Sequence, residues 1–397
     1  MVTTGVEAPG ATELVIGLVP ASHDAAVIDG AIRRITELAP PTGAVLIYPP
    51  YAGNREGPAE SNWQLQADPQ LAQDRTAIAQ SLGDSFRKVF DTARNLDARA
   101  CAIIASDLST VTSDWATMLL QPIVDEGYDL VTPCYSRHPF EGMINRAIVY
   151  PLTRALYAKR VRNPMGPDFG LSRTMLARMA SGPRTRFHPL ASLTTEAITG
   201  GMKICQSHLG ERVYPAPDWS SVSSLLAQVL DPLFLDVERY AAYWQRARAS
   251  EEVHEFGNAV FLPGPNGASE VGRLIDSFQL GAHNLTEVWG TILPPSTLVE
   301  LRRLAKQPAH TFRLPDETWA RIVYDFALGH RLRTINRDQM LRAMTPIYLG
   351  WLASYALEIE NVPPDAVEQR LERLCAGFES TKNYFVSRWR WPDRFNP

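Results

Sequence analysis

The sequence has no excess of charge of either sign that would indicate a nucleic-acid binder. Its 397 residues include 39 basic and 43 acidic side chains, a net charge of −4 when the histidines are neutral. Proteins that bind nucleic acid meet the phosphate backbone with clustered positive charge, so this balance argues against that class. The sequence also lacks an apolar run of the ~18 residues that a membrane-spanning helix needs. We therefore predict neither a nucleic-acid partner nor a membrane span.

Cysteine is scarce, and the few cysteines lie far apart. The four are Cys101, Cys134, Cys205 and Cys375. No two of them form a CxxC pair, which argues against a zinc ribbon, and scattered cysteines are typical of reduced thiols. The first thirteen residues have neither a basic start nor a long apolar run, so they predict a flexible tail and not a signal peptide. Together these features predict a cytoplasmic protein with buried thiols.

Short motifs of several common enzyme classes are missing. The sequence contains no GxGxxG after its first apolar run, no GxxxxGK[ST], no HExxH and no GxSxG. Their absence argues against Rossmann dehydrogenases, P-loop enzymes, zinc metalloproteases and most α/β hydrolases. Three histidines have no neighbouring ligand pattern and are interpreted as structural; they are His208, His254 and His330.

The N-terminal half alternates short apolar runs with stretches in which apolar residues have helical spacing. Residues 14–19 predict a buried strand, residues 25–38 a helix that ends before Pro40, and residues 44–48 a second strand. This order is typical of a right-handed crossover in a doubly wound sheet. Further strands are predicted at 100–105, 129–133 and 202–208, and further helices at 78–96, 115–126 and 147–158 and from residue 194. The predicted fold class is α/β, a sheet flanked by helices.

Beyond residue 217 the sequence consists of periodic segments that are rich in aromatic residues. Helices are predicted at 222–245, 269–280, 316–330 and 364–384. We therefore predict a flexible tail at 1–13, a sheet domain at 14–217 and a helical domain at 218–397. A polar stretch at 49–73 is predicted to be a long loop. Four aromatic residues at helical spacing predict the core of the helical domain: Tyr348, Trp351, Tyr355 and Phe378.

Asp107 is the first candidate for a residue with a chemical function. It follows the predicted strand 100–105, and ligands of open α/β sheets bind outside the carboxyl ends of the strands. A carboxylate there can hold Mg²⁺ or Mn²⁺ against a diphosphate, because these ions prefer oxygen ligands. The alternative is an ordinary turn or helix-capping aspartate.

Two further polar segments stand between the predicted strands. In the first, Arg137 can bind an anion through two hydrogen bonds, and Glu141 can act as an acid or a base, with His138 and Asn145 close by. The alternative is a solvated loop with a surface ion pair. In the second, Asp168 lies between glycines, which permit a backbone to approach a ligand closely. The alternative there is an ordinary turn.

Several segments, in this order, resemble the GT-A-fold glycosyltransferases that use nucleotide sugars. Among these enzymes, the pattern resembles the retaining mannosylglycerate synthase and glucosyl-3-phosphoglycerate synthase group. The segments in the N-terminal half are ASDLSTVTSDW (105–115), RHPFEGMIN (137–145), YPLTRALYAKRVRNPMGPDFGLS (150–172) and QSHLGERVY (206–214). In the C-terminal half, FRLPDETWARIVYDFALGH (312–330) and MTPIYLGW (344–351) also fit. The resemblance implies a GT-A-like mixed sheet flanked by helices, followed by a helical domain.

The resemblance also implies roles for individual residues. The residues expected to bind the nucleotide sugar are Pro20, Ala21, Ser22, Asp24, Ser106 and Asp107. Those expected to contact the acceptor are Arg137, His138 and Asn145. Glu141 and Asp168 are the expected catalytic residues, and Asp107 is the expected metal ligand. The implied activity is transfer of a hexosyl group from a nucleoside diphosphate sugar to a small acidic acceptor such as a glycerate-like molecule, with retention.

The sequence departs from the family at its metal site. Ala105 stands where the Asp-x-Asp motif has its first carboxylate, and Tyr214 stands where a histidine completes the site. One carboxylate alone holds a divalent ion poorly, so we expect Mg²⁺ or Mn²⁺ to bind weakly and Arg212 to meet part of the diphosphate charge. The same departures support an alternative, a non-catalytic ligand-binding or scaffold protein of the same fold. The aromatic content of the helical part predicts a homo-oligomer.

Overall fold

The computed structural model describes residues 14–19, 25–38, 42–47, 62–67, 81–105, 108–136, 138–181, 189–212, 221–260, 270–360 and 362–392. Contacts divide the chain into two compact units, and each unit is discontinuous in sequence. The sheet unit comprises Met1–Ser136, Val161–Val213 and Val253–Val260. The helical unit comprises Arg137–Arg160, Tyr214–Glu252 and Phe261–Pro397.

The described strands of the sheet unit form one eight-stranded sheet. In chain order they are β1 (Leu14–Leu18), β2 (Thr42–Ile47), β3 (Asn62–Ala67), β4 (Ala100–Ile104), β5 (Leu130–Ser136), β6 (Phe169–Ser172), β7 (Ile204–Glu211) and β8 (His254–Phe256). Their spatial order is β3-β2-β1-β4-β6-β5-β7-β8. Among these strands β6 runs antiparallel to its neighbours β4 and β5, and the other pairings are parallel. The sheet is therefore mixed, as the resemblance implies.

Helices flank the sheet and make up the helical unit. Those of the sheet unit are α1 (Ala25–Leu38), α2 (Ser81–Asn95), α3 (Trp115–Glu126), α5 (Arg173–Ser181) and α6 (Pro189–Thr199). Those of the helical unit are α4 (Tyr150–Tyr157), α7 (Val222–Arg239), α8 (Ala241–Trp244), α9 (Val271–Asn284), α10 (Thr286–Gly290), α11 (Pro295–Leu304), α12 (Asp316–Leu332), α13 (Arg337–Ala343), α14 (Thr345–Ile359) and α15 (Pro364–Arg390). A short π-helix (Asn145–Val149) precedes α4, and a 3₁₀ turn (Ala309–Thr311) precedes α12.

The main core of the sheet unit lies between the sheet and helices α1 and α3. Alternate residues of β1 and β4 point into it, as the two-residue period of a strand requires. Its members include Ile16, Leu18, Ile28, Ile32, Ala102, Ile104, Trp115, Leu119 and Val131. Full burial of each large apolar side chain stabilises the fold by roughly 1.5–3 kcal/mol.

Two glycines let helices approach the sheet closely. A Cβ at Gly17 in β1 would lie 2.4 Å from Cγ1 of Val89 in α2. A Cβ at Gly170 in β6 would lie 2.0 Å from the carbonyl oxygen of Leu119 in α3. Since real side chains do not tolerate such distances, any larger residue at either position would push a helix away from the sheet.

The helical unit has an aromatic core, as its sequence predicts. The rings of Trp319 and Trp351 lie 5.9 Å apart, and those of Trp351 and Tyr355 lie 5.3 Å apart. Tyr348 and Phe378 are also buried. The four aromatic residues predicted to be core are therefore core, which confirms that interpretation.

The helices and strands match the predictions in part. The predicted ends of α1 and α3 are confirmed, and no described helix is long and apolar enough to cross a bilayer. The prediction of a loop at 49–73 is wrong where β3 forms, because Asn62–Ala67 pairs with β2 over its full length. The segment expected to be one helix at 222–245 is broken at Tyr240 into α7 and α8. Both β6 and α5 were missed by the sequence patterns.

Candidate functional site

The candidate site lies at the carboxyl edge of the sheet, where the strand order reverses between β1 and β4. Open α/β sheets bind ligands at such a point. The last described contact there is the hydrogen bond that the Val19 N–H donates to the Ile104 carbonyl, at 2.9 Å. The predicted site residues that lie outside the described residues are Pro20, Ala21, Ser22, Asp24, Ser106, Asp107 and Arg137.

Asp168 is the predicted site residue that the structure places at this edge. It immediately precedes β6, and because β6 is antiparallel its start lies beside the end of β4 and the middle of β5. Its Oδ1 accepts a hydrogen bond from the Ala105 N–H at 2.9 Å, and its Oδ2 accepts one from the Tyr135 hydroxyl. The residue is completely buried. Asp168 thus ties the end of β4, two residues before Asp107, to the end of β5.

Tyr135 and Arg212 complete this group. The guanidinium carbon of Arg212 lies 5.2 Å from the centre of the Tyr135 ring, a cation–π distance. The backbone N–H of Arg212 points to the Ser136 carbonyl at 3.5 Å. The ring of Trp115, at the start of α3, lies 6.0 Å from that of Tyr135. The carboxyl edge therefore combines a buried carboxylate with a fixed, partly exposed cation.

Glu141 and His138 lie in a turn of the helical unit. The Glu141 N–H donates to the His138 carbonyl at 3.0 Å, and the His138 N–H donates to Oε2 of Glu141 at 3.1 Å. The first bond closes a tight backbone turn, and the second is the half of a capping box in which a glutamate side chain satisfies a backbone N–H three residues earlier. Glu141 therefore has a structural function in the turn, whatever its chemical function. Asn145 begins the π-helix that follows.

The turn is fixed to other parts of the helical unit. Nη1 of Arg146 donates to the carbonyl of Pro139 at 3.2 Å, and Nη2 lies 3.7 Å from Glu368. The Tyr355 hydroxyl donates to the same Pro139 carbonyl at 3.2 Å. These contacts make the segment from 138 to 146 a rigid support. The sequence patterns did not select Arg146, since its partners are distant in the chain.

A cleft of about 570 Å³ opens beside β7 in the sheet unit. It is lined by Thr110, Thr112, Asp114, Met118, His208, Leu209, Gly210, Glu211 and Asn258. The segment 108–114 leads from the end of β4 to α3, so the cleft adjoins the carboxyl edge. The charged residues in its lining are Asp114 and Glu211, which suit hydroxyl groups better than phosphate oxygens. No sequence motif predicts this cleft.

The described residues at the end of β4 do not fit a Mg²⁺ or Mn²⁺ site. Such ions take six or more oxygen ligands, or carboxylates together with substrate phosphates. Ala105 offers no side-chain ligand, and both oxygens of Asp168 already accept hydrogen bonds. In the described part of the chain, no group of three potential ligands forms at this position. A hard cation there would depend on Asp107 and on the substrate.

The similarity of this chain to known proteins is found among solved structures, at low sequence identity. No protein-family model matches it, and no curated protein matches it. Solved structures similar to it include glucosyl-3-phosphoglycerate synthase from Mycobacterium tuberculosis in complex with Mn²⁺, uridine diphosphate and glucosyl-3-phosphoglycerate, at 17% identity and a TM-score of 0.42. That match covers 57% of this chain and 80% of the other. The same enzyme with Mg²⁺ and uridine diphosphate matches at 18% identity and a TM-score of 0.40, covering 57% and 79%.

Proposed function

We propose that the protein is a glycosyltransferase that moves a hexosyl group from a nucleoside diphosphate sugar to a small acidic acceptor, such as a glycerate-like molecule, with retention. The observation that carries the proposal is the group at the carboxyl edge. Asp168 is buried there against Ala105 and Tyr135, and Arg212 lies over the Tyr135 ring. The motif resemblances around Ala105, Asp168 and Arg212 support the same assignment.

Arg212 has the chemistry to meet the departing diphosphate. A guanidinium donates two parallel hydrogen bonds to phosphate oxygens, and it keeps its charge at any pH that a protein meets. Positive charge fixed beside the leaving group stabilises the transition state as negative charge develops on the diphosphate. The sugar carbon becomes oxocarbenium-like as its bond to the diphosphate breaks. The acceptor hydroxyl oxygen bonds to that carbon from the face that the diphosphate leaves, and the hydroxyl proton passes to the departing diphosphate oxygen.

Glu141 is proposed to bind a hydroxyl group, together with the acceptor contacts of Arg137, His138 and Asn145. An ionised carboxylate has about four lone-pair positions, so Glu141 can hold the His138 N–H and still accept from a hydroxyl. The rigid turn from 138 to 146 would keep that carboxylate in place as the ligand binds. Arg137→Ala should therefore weaken acceptor binding and leave the melting temperature almost unchanged, because the sequence predicts a solvated loop at Arg137, where a substitution changes stability little.

The metal contributes little in this proposal. A divalent ion would neutralise diphosphate charge if Asp107 and the substrate held it, but the other described residues at the end of β4 supply no ligand to it. The catalytic contributions are therefore assigned to the side chains, with Arg212 as the fixed cation.

Self-association and a cytoplasmic location also stay predictions. Sedimentation at micromolar concentration tests the prediction of self-association.

The decisive experiment is calorimetric titration of nucleoside diphosphate sugars, followed by a transfer assay with glycerate-like acceptors. Saturable binding and transfer with retained anomeric configuration are expected. Each titration is repeated with Mn²⁺ and with EDTA. The alternative, a scaffold protein of the same fold, predicts that no nucleotide sugar binds under any of these conditions. Binding of the nucleotide sugar without transfer to any acidic acceptor would contradict the proposed reaction.

A further inference from the structure

Three potential metal ligands converge on neighbouring strands at the far side of the sheet from β1. They are Cys134 of β5, His208 of β7 and Glu255 of β8. Cys134 is the register partner of His208, and Glu255 is the register partner of Gln206, two residues before His208. Paired and alternate residues point to the same face of a sheet, so the three side chains share one face.

The ligand atoms of the three residues are close enough for one ion. A thiol sulfur, a ring nitrogen and a carboxylate oxygen all lie within 4.8 Å of one another. Nε2 of His208 lies 2.9 Å from Oε2 of Glu255. Cys134 is buried, the His208 side chain is 9% exposed, and that of Glu255 is 36% exposed. The group is therefore anchored in the sheet at the sulfur and opens to solvent at the carboxylate.

Neighbouring residues hold the carboxylate in position. The Gln206 amide donates to Oε1 of Glu255 at 3.0 Å, and its own oxygen accepts from the Arg162 N–H at 2.6 Å. Gln206 is fully buried, so its orientation is fixed. Oε2 of Glu255 is paired with the His208 ring, and Nε of Arg162 lies 3.6 Å from Oε1. Metal-binding carboxylates commonly have supporting hydrogen bonds of this kind.

We propose that Cys134, His208 and Glu255 bind a zinc-class divalent cation. A thiolate, an imidazole and a carboxylate form a donor set that suits Zn²⁺, whereas Mg²⁺ and Mn²⁺ prefer oxygen ligands alone. Three protein ligands leave the fourth tetrahedral position for water or another ligand. The site is separate from the metal expected at Asp107, in its residues and in the class of ion that it selects.

The alternative interpretation of the same geometry is an ion pair between His208 and Glu255 with a buried thiol beside it. The two readings differ in what Cys134 does. In the ion-pair interpretation Cys134 binds no ion. In a metal site the thiol loses its proton to become the third ligand, and binding releases that proton.

The test uses the full chain after removal of metal with a chelator. Zn²⁺ is titrated in competition with a chromogenic chelator, and Co²⁺ is titrated separately to observe a thiolate-to-cobalt charge-transfer band. We expect one equivalent of each ion to bind, with no matching signal from Mg²⁺. Cys134→Ala, His208→Gln and Glu255→Gln should each weaken Zn²⁺ binding at least about tenfold, since even supporting residues of metal sites contribute that much.

Matched controls are available on the same strands. Cys205 and His254 are register partners of each other on β7 and β8, and they belong to the opposite face. Cys205→Ala and His254→Gln should therefore leave Zn²⁺ affinity unchanged. Arg162→Ala should tighten Zn²⁺ binding, because it removes a positive charge 3.6 Å from Glu255.

Several outcomes would overturn the proposal. One is the absence of saturable Zn²⁺ binding to the native chain, and another is a Co²⁺ complex without the thiolate band. Equal loss of affinity in the Cys134→Ala and Cys205→Ala variants would also contradict it, because that result points to a general effect on folding. The cobalt spectrum of the native protein decides the matter even if a variant does not fold.

Discussion

The carboxyl edge of the sheet, where the parallel strands end, and the amino edge, where they begin, contain the same three kinds of side chain. The contacts of these side chains differ between the two edges. At the carboxyl edge Asp168, Tyr135 and Arg212 form the group described above. At the amino edge Asp129 accepts from the Ser172 hydroxyl at 2.9 Å and from the Lys203 N–H at 3.1 Å. The Lys203 ammonium lies 4.1 Å from the centre of the Tyr128 ring. Each edge therefore has a carboxylate, a tyrosine and a cation.

The difference lies in how the carboxylate is satisfied and how deeply it is buried. Asp129 is half-buried, and its donors belong to β6 and to the residue before β7. Asp168 is completely buried, and the tyrosine itself is one of its donors. The amino edge shows that a half-buried carboxylate with two hydrogen-bond donors is enough to link the ends of neighbouring strands. The extra burial and the ring–hydroxyl contact at the carboxyl edge exceed that need, which supports a function there. The amino edge is thus an internal control for every test of the candidate site.

The largest effect is expected from Asp168→Asn. The amide has the same shape, and the Tyr135 hydroxyl can turn to accept from it, so the fold should persist. A small displacement of the chain before Asp107 should lower transfer activity about 100-fold, the order of loss that misplacement of a reacting group produces. Steady-state kinetics measure the effect, and Asp129→Asn is the control. Equal activities in the two variants would show that Asp168 only ties strands.

The next largest effect is expected from Arg212→Ala. Loss of a charge-assisted hydrogen bond costs ~1.5–3 kcal/mol, so the affinity for a nucleoside diphosphate should fall roughly 10- to 100-fold. Calorimetry at two salt concentrations should also show a weaker salt dependence in the variant. Lys203→Ala removes the corresponding cation at the amino edge and should not change the affinity. If Lys203→Ala weakens binding as much as Arg212→Ala does, the cation at the carboxyl edge has no special role.

A moderate effect on stability is expected from Tyr135→Phe. It removes one hydrogen-bond donor from a buried carboxylate, which should lower the free energy of unfolding by about 1–3 kcal/mol. Ser172→Ala removes the corresponding donor from Asp129, and it also removes the oxygen that accepts from the Met175 N–H at 3.1 Å and caps α5. It should cost about 1 kcal/mol, mostly from the lost cap. Urea unfolding of both variants measures the difference. A larger loss in Ser172→Ala would reverse the comparison between the edges.

The smallest effect is expected from metal removal. EDTA should lower transfer activity by less than about threefold, because Ala105 contributes no ligand to an ion that needs several oxygens. Ala105→Asp together with Tyr214→His should supply the ligand set of the glycosyltransferases that the sequence motifs resemble, and should tighten Mn²⁺ binding at least about tenfold. Complete loss of activity in EDTA, with recovery at micromolar Mn²⁺, would mean that other residues complete a strong site in the native chain.

The sequence predicted the elements that local spacing determines. Helix α1 ends before Pro40 and α3 before Gly127, and both have apolar residues at helical intervals, so their bounds could be inferred. Strand β6 could not, because its four residues form a strand only through pairing with β4 and β5. Polar and apolar residues alternate in β3, which is typical of a strand, but the polar stretch around it favoured the prediction of a loop.

The same limit applies to the candidate site. Asp168 was selected from its own segment, but its partners Tyr135 and Ala105 are 33 and 63 residues away in the chain. His208 was interpreted as structural because nothing near it in sequence resembles a ligand. Its partner Glu255 is 47 residues away, and only the register of β7 and β8 brings the two together. The sequence shows which side chains could bind a ligand, but it does not show which of them come together in the fold.

The discontinuity of the two units has a consequence for any attempt to separate them. The polypeptide passes from one unit to the other after Ser136, Arg160, Val213, Glu252 and Val260. Strand β8 therefore comes from sequence beyond the predicted boundary at residue 217. A chain cut there would expose the backbone hydrogen-bonding groups of β7, and a bare edge of this kind recruits strands from other molecules. Such a fragment should therefore precipitate. Truncation at residue 217 would not show which of the two units carries the activity.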